Sequence, residues 1–312
     1  MGSAVFMSDA QLKKLPIGID DFIELRHSQF AYADKTRFIG VFEDDVSKLL
    51  ITRPSGFGKT LFASALSAYY DRRYAADFEA IFAGTYIADH KTPLANQFAV
   101  LRLHPTVSGT PEALLRNIRQ DLENFFARYP HPKQQSVLNF PTDNAADLIA
   151  HFFTVVHAPY NKQLCVIVDA CAPVLQASAS VREAHRLSAT LRDFYADLKI
   201  AAGDGPIARL FVFSALPSES VPDTVDQLSA KDLTTRPQTA VLFGLTKTEL
   251  LSLIPQVIDL KQASVSSEAV AETVAAHCPA FRFSRHSDAT VFNTADCLNY
   301  LRRYTAPPAA RC

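Results

Sequence analysis

A short glycine-containing segment carries residue types suited to binding phosphate. Residues 53–60 read Arg-Pro-Ser-Gly-Phe-Gly-Lys-Thr. In phosphate-binding loops with this ending, backbone amides wrap around a phosphate chain, the lysine reaches the terminal phosphates, and the following hydroxyl binds Mg²⁺. The candidate ligand-binding residues in this segment are Arg53, Gly56, Phe57, Gly58, Lys59 and Thr60.

The segment departs from the usual pattern at its first position. The Walker pattern expects a glycine five positions before Gly58, and this chain has Arg53 there. The tripeptide Gly-Lys-Thr by itself also describes an exposed turn with a solvated lysine. Its surroundings favour the phosphate loop, because an apolar run, 49–52, precedes it and a helix-like stretch, Leu61 to Tyr74, follows it.

A second strand is expected to bring a carboxylate to the same place. Residues 164–169 form a continuous apolar run that ends in Asp169, as in a strand buried on both faces. Asp169 and Thr60 are the candidate Mg²⁺ ligands. Hydrolytic enzymes of this design commonly place a glutamate after the aspartate to polarise the attacking water. This chain has Ala170 there, and alanine cannot act as a base.

Two further polar residues are weaker candidates. Ser214 ends the apolar run 209–214 and either faces the terminal phosphate as a sensor or caps the next turn. Glu219 is either a substitute base or a solvated loop residue.

The elements around these residues alternate between strands and helices. Apolar runs predict strands at 98–103, 164–169 and 209–214, besides the strand before the loop. Helical periodicity predicts helices over 111–129, 145–157 and 181–200. Strands separated by helices predict an α/β fold, with a P-loop NTPase-like parallel sheet, flanking helices and a small C-terminal, mainly helical subdomain.

The sequence divides into four predicted segments. Residues 1–45 are expected to pack on the core, 46–245 to form the P-loop NTPase-like domain, 246–304 to form a helical lid, and 305–312 to be a disordered tail. In the lid, Thr246 to Glu249 predicts a capping box, the first helix is expected to end near Pro255, and another helix is expected over 266–277, before a short hairpin.

Several motifs together resemble the AAA-ATPase-like family, whose members often precede a PD-(D/E)xK nuclease domain. The resemblance spans about residues 15 to 303. Its matching segments are 15–22, 32–36 (Tyr-Ala-Asp-Lys-Thr), 53–60, 194–199, 242–246, 281–284 and 291–293. This resemblance implies a P-loop fold that binds ATP with Mg²⁺.

The departures from that family affect catalysis more than binding. The family usually reads Asp-Glu-Tyr-Asp where this chain reads Asp169-Ala170-Cys171-Ala172, and it has two arginines where this chain has Ser55 and Gly56. We therefore expect a pseudo-ATPase or nucleotide-gated interaction module with a protein partner. The alternatives are a working ATPase whose catalytic acid comes from elsewhere or from a second subunit, and a structural protein that no longer binds nucleotide.

Composition and motifs limit the kinds of function that remain possible. The net charge of −1 and scattered basic residues do not indicate nucleic-acid binding. No secretory signal or membrane-length apolar stretch is present, and the five cysteines form no Cys-x-x-Cys pair, so a cytoplasmic protein is expected. Nuclease activity is not expected, because no Glu-x-Lys occurs and Asp197-Leu198-Lys199 falls in a predicted helix.

Overall fold

A five-stranded parallel sheet forms the centre of the chain. The computed structural model describes residues 12–43, 47–105, 110–171, 180–215 and 228–305, with the backbone alone for Ala170 and Cys171. The strands are β1 Lys48–Thr52, β2 Ala99–Leu103, β3 Leu164–Cys171, β4 Ile207–Ser214 and β5 Lys231–Asp232. Their order is β2-β3-β4-β1-β5, and every pairing is parallel. The predicted α/β fold is confirmed.

Helices connect and cover these strands. Before β1 lie α1 Phe22–His27 and α2 Phe38–Glu43. Between β1 and β4 lie α3 Lys59–Tyr70, α4 Phe78–Phe82, α5 Tyr86–Asp89, α6 Pro111–Arg128, α7 Gln134–Leu138, α8 Ala145–Val156 and α9 Val181–Gly203. After β5 lie α10 Lys247–Val257, α11 Leu260–Ala263, α12 Ser267–His277 and α13 Thr294–Thr305, with a two-stranded antiparallel pair, β6 Ala280–Phe281 and β7 Val291–Phe292, before α13.

Alternate residues of the central strands bury opposite faces of the sheet. In β3, Val166 and Val168 pack with α6, α8 and α9, whereas Cys165 and Ile167 pack with α3 and the N-terminal helices. All four side chains are fully buried. A strand buried on both sides must be apolar throughout, which explains the continuous apolar runs in the sequence. The sheet therefore holds the ends of β1 and β3 in a rigid frame.

Several predicted helix ends differ from the structure, since the helices predicted over 111–129, 145–157 and 181–200 end at Arg128, Val156 and Gly203. Helix α3 ends at Tyr70 rather than Tyr74, because the amide of Arg72 donates to the carbonyl of Phe98 and a separate 3₁₀ turn, Arg72–Tyr74, follows. Helix α10 continues past Pro255 to Val257. Burial of Val257 and Ile258 in the C-terminal apolar cluster favours this extra turn.

The C-terminal residues pack against the N-terminal segment. The predicted capping box is confirmed, since Thr246 and Glu249 satisfy each other's backbone amides at the start of α10. The Glu249 carboxylate also lies 2.7 Å from the Nζ atom of Lys35, which donates to the Val241 carbonyl as well. These bonds join distant parts of the chain. The boundaries at 45, 246 and 304 stay predictions, and residues 306–312 of the predicted tail lie outside the described residues.

Candidate functional site

The segment between β1 and α3 has the backbone shape of a phosphate loop. The strand ends at Thr52 and the helix begins at Lys59. Gly56 and Gly58 have φ angles of 83° and 90°, in the left-handed region that side chains with a Cβ rarely occupy. The first N–H groups of a helix have no intrahelical acceptor and attract anions. The predicted strand, loop and helix are therefore present, with the helix N-terminus facing the loop.

Lys59 is folded back over its own loop. Its Nζ atom donates to the carbonyls of Arg53 at 2.8 Å and Pro54 at 2.7 Å, and the side chain is buried. Burial lowers the pKa of Lys59 to about 8, while the nearby Asp169 charge opposes that decrease. The ammonium thus has neutral acceptors here, and it could exchange them for a phosphate oxygen.

The two predicted metal ligands lie side by side, but a third side chain joins them. The Thr60 hydroxyl is 3.4 Å from one carboxylate oxygen of Asp169. The other oxygen of Asp169 accepts a bond of 3.0 Å from Nη2 of Arg102, on β2. Sequence reasoning missed Arg102, although an arginine inside the apolar strand Ala-Val-Leu-Arg-Leu was a detectable signal.

The structure places the Arg53 side chain away from the cavity beside the loop. Its guanidinium is completely buried and donates to the carbonyls of Thr52, Thr234 and Thr239, and it lies 4.1 Å from the centre of the Phe283 ring. Burial lowers its pKa to about 10. In this conformation the side chain supports the base of the loop.

Ser214 lies at the end of β4, next to the loop strand. It pairs in register with Thr52, its side chain is buried, and its carbonyl accepts the amide of Arg53. The following residue, Ala215, lines the cavity beside the loop. Ser214 therefore borders the site from the sheet side.

A cavity of about 390 Å³ lies over the loop. Residues 55–62 form one wall, N-terminal residues 16–20 form another, and α10 and α13 contribute apolar side chains including Leu253 and Leu298. Small-molecule sites in proteins commonly measure about 300–1,000 Å³. The cavity is thus large enough for a small ligand and combines a phosphate-type loop with an apolar part.

The C-terminal segment holds the loop from outside. The carbonyl of Gly56 accepts the Ala295 amide at 2.9 Å, and the carbonyl of Ser55 accepts the Asn293 side-chain amide at 3.0 Å. The carbonyl of Phe57 accepts the amide of Gly244 at 2.9 Å. The start of α13 and the loop therefore form one connected unit.

Several sequence candidates lie beyond what the structure describes. Glu219 and Ala172 are outside the described residues. Within the described ranges, no group of three or more His, Cys, Asp or Glu side chains could hold a metal ion. In the same part of the chain, every helix is too short or too polar to cross a bilayer.

Comparisons with known proteins identify a family for most of the chain. The family described as "Predicted AAA-ATPase" matches residues 16–217. An uncharacterized protein encoded in the vnfD 5' region of Azotobacter chroococcum mcd 1 is 25% identical over 242 residues, which are 76% of this chain. The chain spans only 44% of that relative's length. No solved structure matches the chain. Because the family match covers more than half of the sequence, the chain belongs to the AAA-ATPase-like family.

Proposed function

We propose that this chain binds ATP at the loop of residues 53–60 and hydrolyses it slowly, acting as a nucleotide-gated interaction module. The observation that carries the proposal is the loop itself, in which Gly56 and Gly58 turn the backbone into the N-terminus of α3 beside a cavity. Family membership suggests nucleotide binding in general.

Phosphate binding would use groups that the chain already holds in place. The backbone amides at the start of α3 supply donors and a favourable dipole. Lys59 would leave the carbonyls of Arg53 and Pro54 for a terminal phosphate oxygen. That exchange replaces two neutral acceptors by a charged one, and charge-assisted bonds are roughly twice as strong as neutral ones.

The apolar part of the cavity suits a nucleotide base. This part of the cavity is lined by Ile17 and Ile19 from the N-terminal segment and by Leu253 and Leu298 from the C-terminal helices. A flat aromatic base buries apolar surface against such side chains. A bound base would therefore contact both ends of the described chain.

Slow hydrolysis follows from residue types rather than from loss of the loop. Asp169 is the one carboxylate that contacts Thr60 among the described residues, and Ala170 follows it in the sequence. Without a group that orients water, a phosphoryl-transfer site loses much of its rate. The competing proposal of a working ATPase needs an acid from another position, such as Glu219, or from a second subunit.

Contacts between the loop and α13 support the gating part of the proposal. Ala295 and Asn293 hold the carbonyls of Gly56 and Ser55, so a loop that adjusts to phosphate would act on the start of α13. Any protein partner that senses this helix could read nucleotide occupancy.

The test is a calorimetric titration of the protein with ATP and with GTP. Lys59→Ala should weaken ATP binding by about 2 kcal/mol or more, roughly thirtyfold, since it removes a charge-assisted bond. Lys199→Ala, an exposed lysine on α9, is the matched control and should bind like the unmodified protein. Absence of heat at millimolar ATP, or equal binding by Lys59→Ala, would reject the proposal in favour of a structural protein.

A further inference from the structure

Arg102 occupies the carboxylate that a divalent metal would need. Its guanidinium is 3.0 Å from Asp169, which is only 1% exposed, while the Arg102 side chain itself is 17% exposed. The second oxygen of Asp169 faces the hydroxyl of Thr60. The Arg102 guanidinium thus already neutralises this carboxylate through one of its oxygens, so the residues present do not fit a magnesium site as they stand.

The charges around Asp169 point the same way. Arg102 contacts the carboxylate directly and neutralises its charge. Ala170, the next residue, adds no further negative charge. A divalent cation bound to Asp169 would lie close to the guanidinium that is bound to the same carboxylate. Two positive charges held so close together repel strongly in a buried site.

Arg102 also has donor capacity left over. Its Nε atom is buried and has no hydrogen-bond partner within the part of the chain that the structure describes. An unpaired buried donor is unfavourable, and guanidinium groups form strong charge-assisted bonds to phosphate oxygens. A phosphate oxygen that reached the Nε atom would satisfy it while Nη2 stays on Asp169.

We infer that Arg102 replaces the metal, so that the chain binds nucleoside triphosphate without requiring Mg²⁺. Arg102 stays on Asp169 and, together with Lys59, offsets the negative charge of the terminal phosphates. This inference rests on the proposed nucleotide binding and concerns the form of the nucleotide that is bound.

The experiment measures the dissociation constant of ATP in buffer with excess Mg²⁺ and in buffer with EDTA. The unmodified protein should give values within about threefold of each other, because Arg102 already supplies the charge. Arg102→Gln should bind metal-free ATP at least about tenfold more weakly, and added Mg²⁺ should restore part of that loss, since Asp169 is then free. Arg192→Gln, an exposed arginine on α9, is the matched control and should behave like the unmodified protein.

Two results overturn the inference alone. The first is ATP binding by the unmodified protein that strengthens tenfold or more with Mg²⁺. The second is binding of metal-free ATP by Arg102→Gln that equals binding by the unmodified protein. Absence of binding in both buffers overturns the proposed function, and this inference with it. If circular dichroism shows that Arg102→Gln does not fold, Mn²⁺ electron paramagnetic resonance on the unmodified protein decides. Titrating the protein into Mn²⁺ and ATP should change the affinity of ATP for Mn²⁺, measured from the free Mn²⁺ signal, by no more than about threefold. A strengthening of tenfold or more contradicts the inference.

Discussion

Replacing Gly56 with alanine should separate the loop from the start of α13. A Cβ atom at this position would lie 2.6 Å from Oδ1 and 2.9 Å from Nδ2 of Asn293. The Asn293 side chain would have to move. It would then lose its bond to the Ser55 carbonyl and its bonds from the amides of Ala295 and Asp296, which cap α13.

The size of the effect follows from three separate costs. The φ angle of 83° imposes about 1–2 kcal/mol on any residue with a Cβ. Loss of the Asn293 bond to Ser55 and of the helix cap adds about 1 kcal/mol each. Gly56→Ala should therefore lower the free energy of unfolding by about 3–4 kcal/mol, a large share of the roughly 5–15 kcal/mol typical of a protein.

A double-mutant cycle with Asn293→Ala isolates the contact. In the Asn293→Ala background the obstacle is gone, so Gly56→Ala should cost only the strain of about 1–2 kcal/mol. Urea unfolding followed by circular dichroism measures all four proteins. If Gly56→Ala costs the same in both backgrounds, Asn293 does not restrain the loop and the reasoning is refuted.

Three further predictions concern single side chains. ATP binding should weaken as pH rises through about 8, because the pKa of Lys59 lies at about 8 and only the ammonium pairs with phosphate. Calorimetry in two buffers of different ionisation enthalpy should detect proton uptake on binding. An ATP affinity that stays constant up to about pH 9.5 would contradict this prediction. Lys35→Met should lower the free energy of unfolding by about 2 kcal/mol, because it leaves the partly buried Glu249 carboxylate without its cation. The double variant Lys35→Met with Glu249→Gln should lower this free energy by less. Equal losses in urea unfolding would argue against a stabilising ion pair between Lys35 and Glu249. Ala170→Glu should raise the rate of phosphate release by about 10²-fold, with Ala170→Gln as the control. An unchanged rate with intact ATP binding would show that more than this glutamate is missing.

Local and regular features of this protein could be predicted from the sequence. The strands around the loop and the Asp169 strand follow from continuous apolar runs, because a sheet covered on both faces leaves no room for polar side chains. The approach of Thr60 to Asp169 follows from the parallel arrangement, which brings the carboxyl ends of strands to one edge.

Features that depend on distant partners could not be predicted in this way. Arg53 occupies a position where phosphate loops have glycine, and its burial depends on the carbonyls of Thr234 and Thr239, far along the chain. The pairing of Arg102 with Asp169 requires knowing that β2 lies next to β3. Asn293 reaches the loop only through the packing of α13, which no local pattern describes.

Phosphate release by the unmodified protein at saturating ATP tests the central claim most directly. The account predicts that ATP binds while turnover stays about 10²–10⁴-fold below the rate of an intact site, since Ala170 cannot activate water. Working enzymes commonly turn over at about 1 per second or faster. Steady release near that rate, abolished by Lys59→Ala and retained by Lys199→Ala, would show that another residue activates the water and would contradict the account.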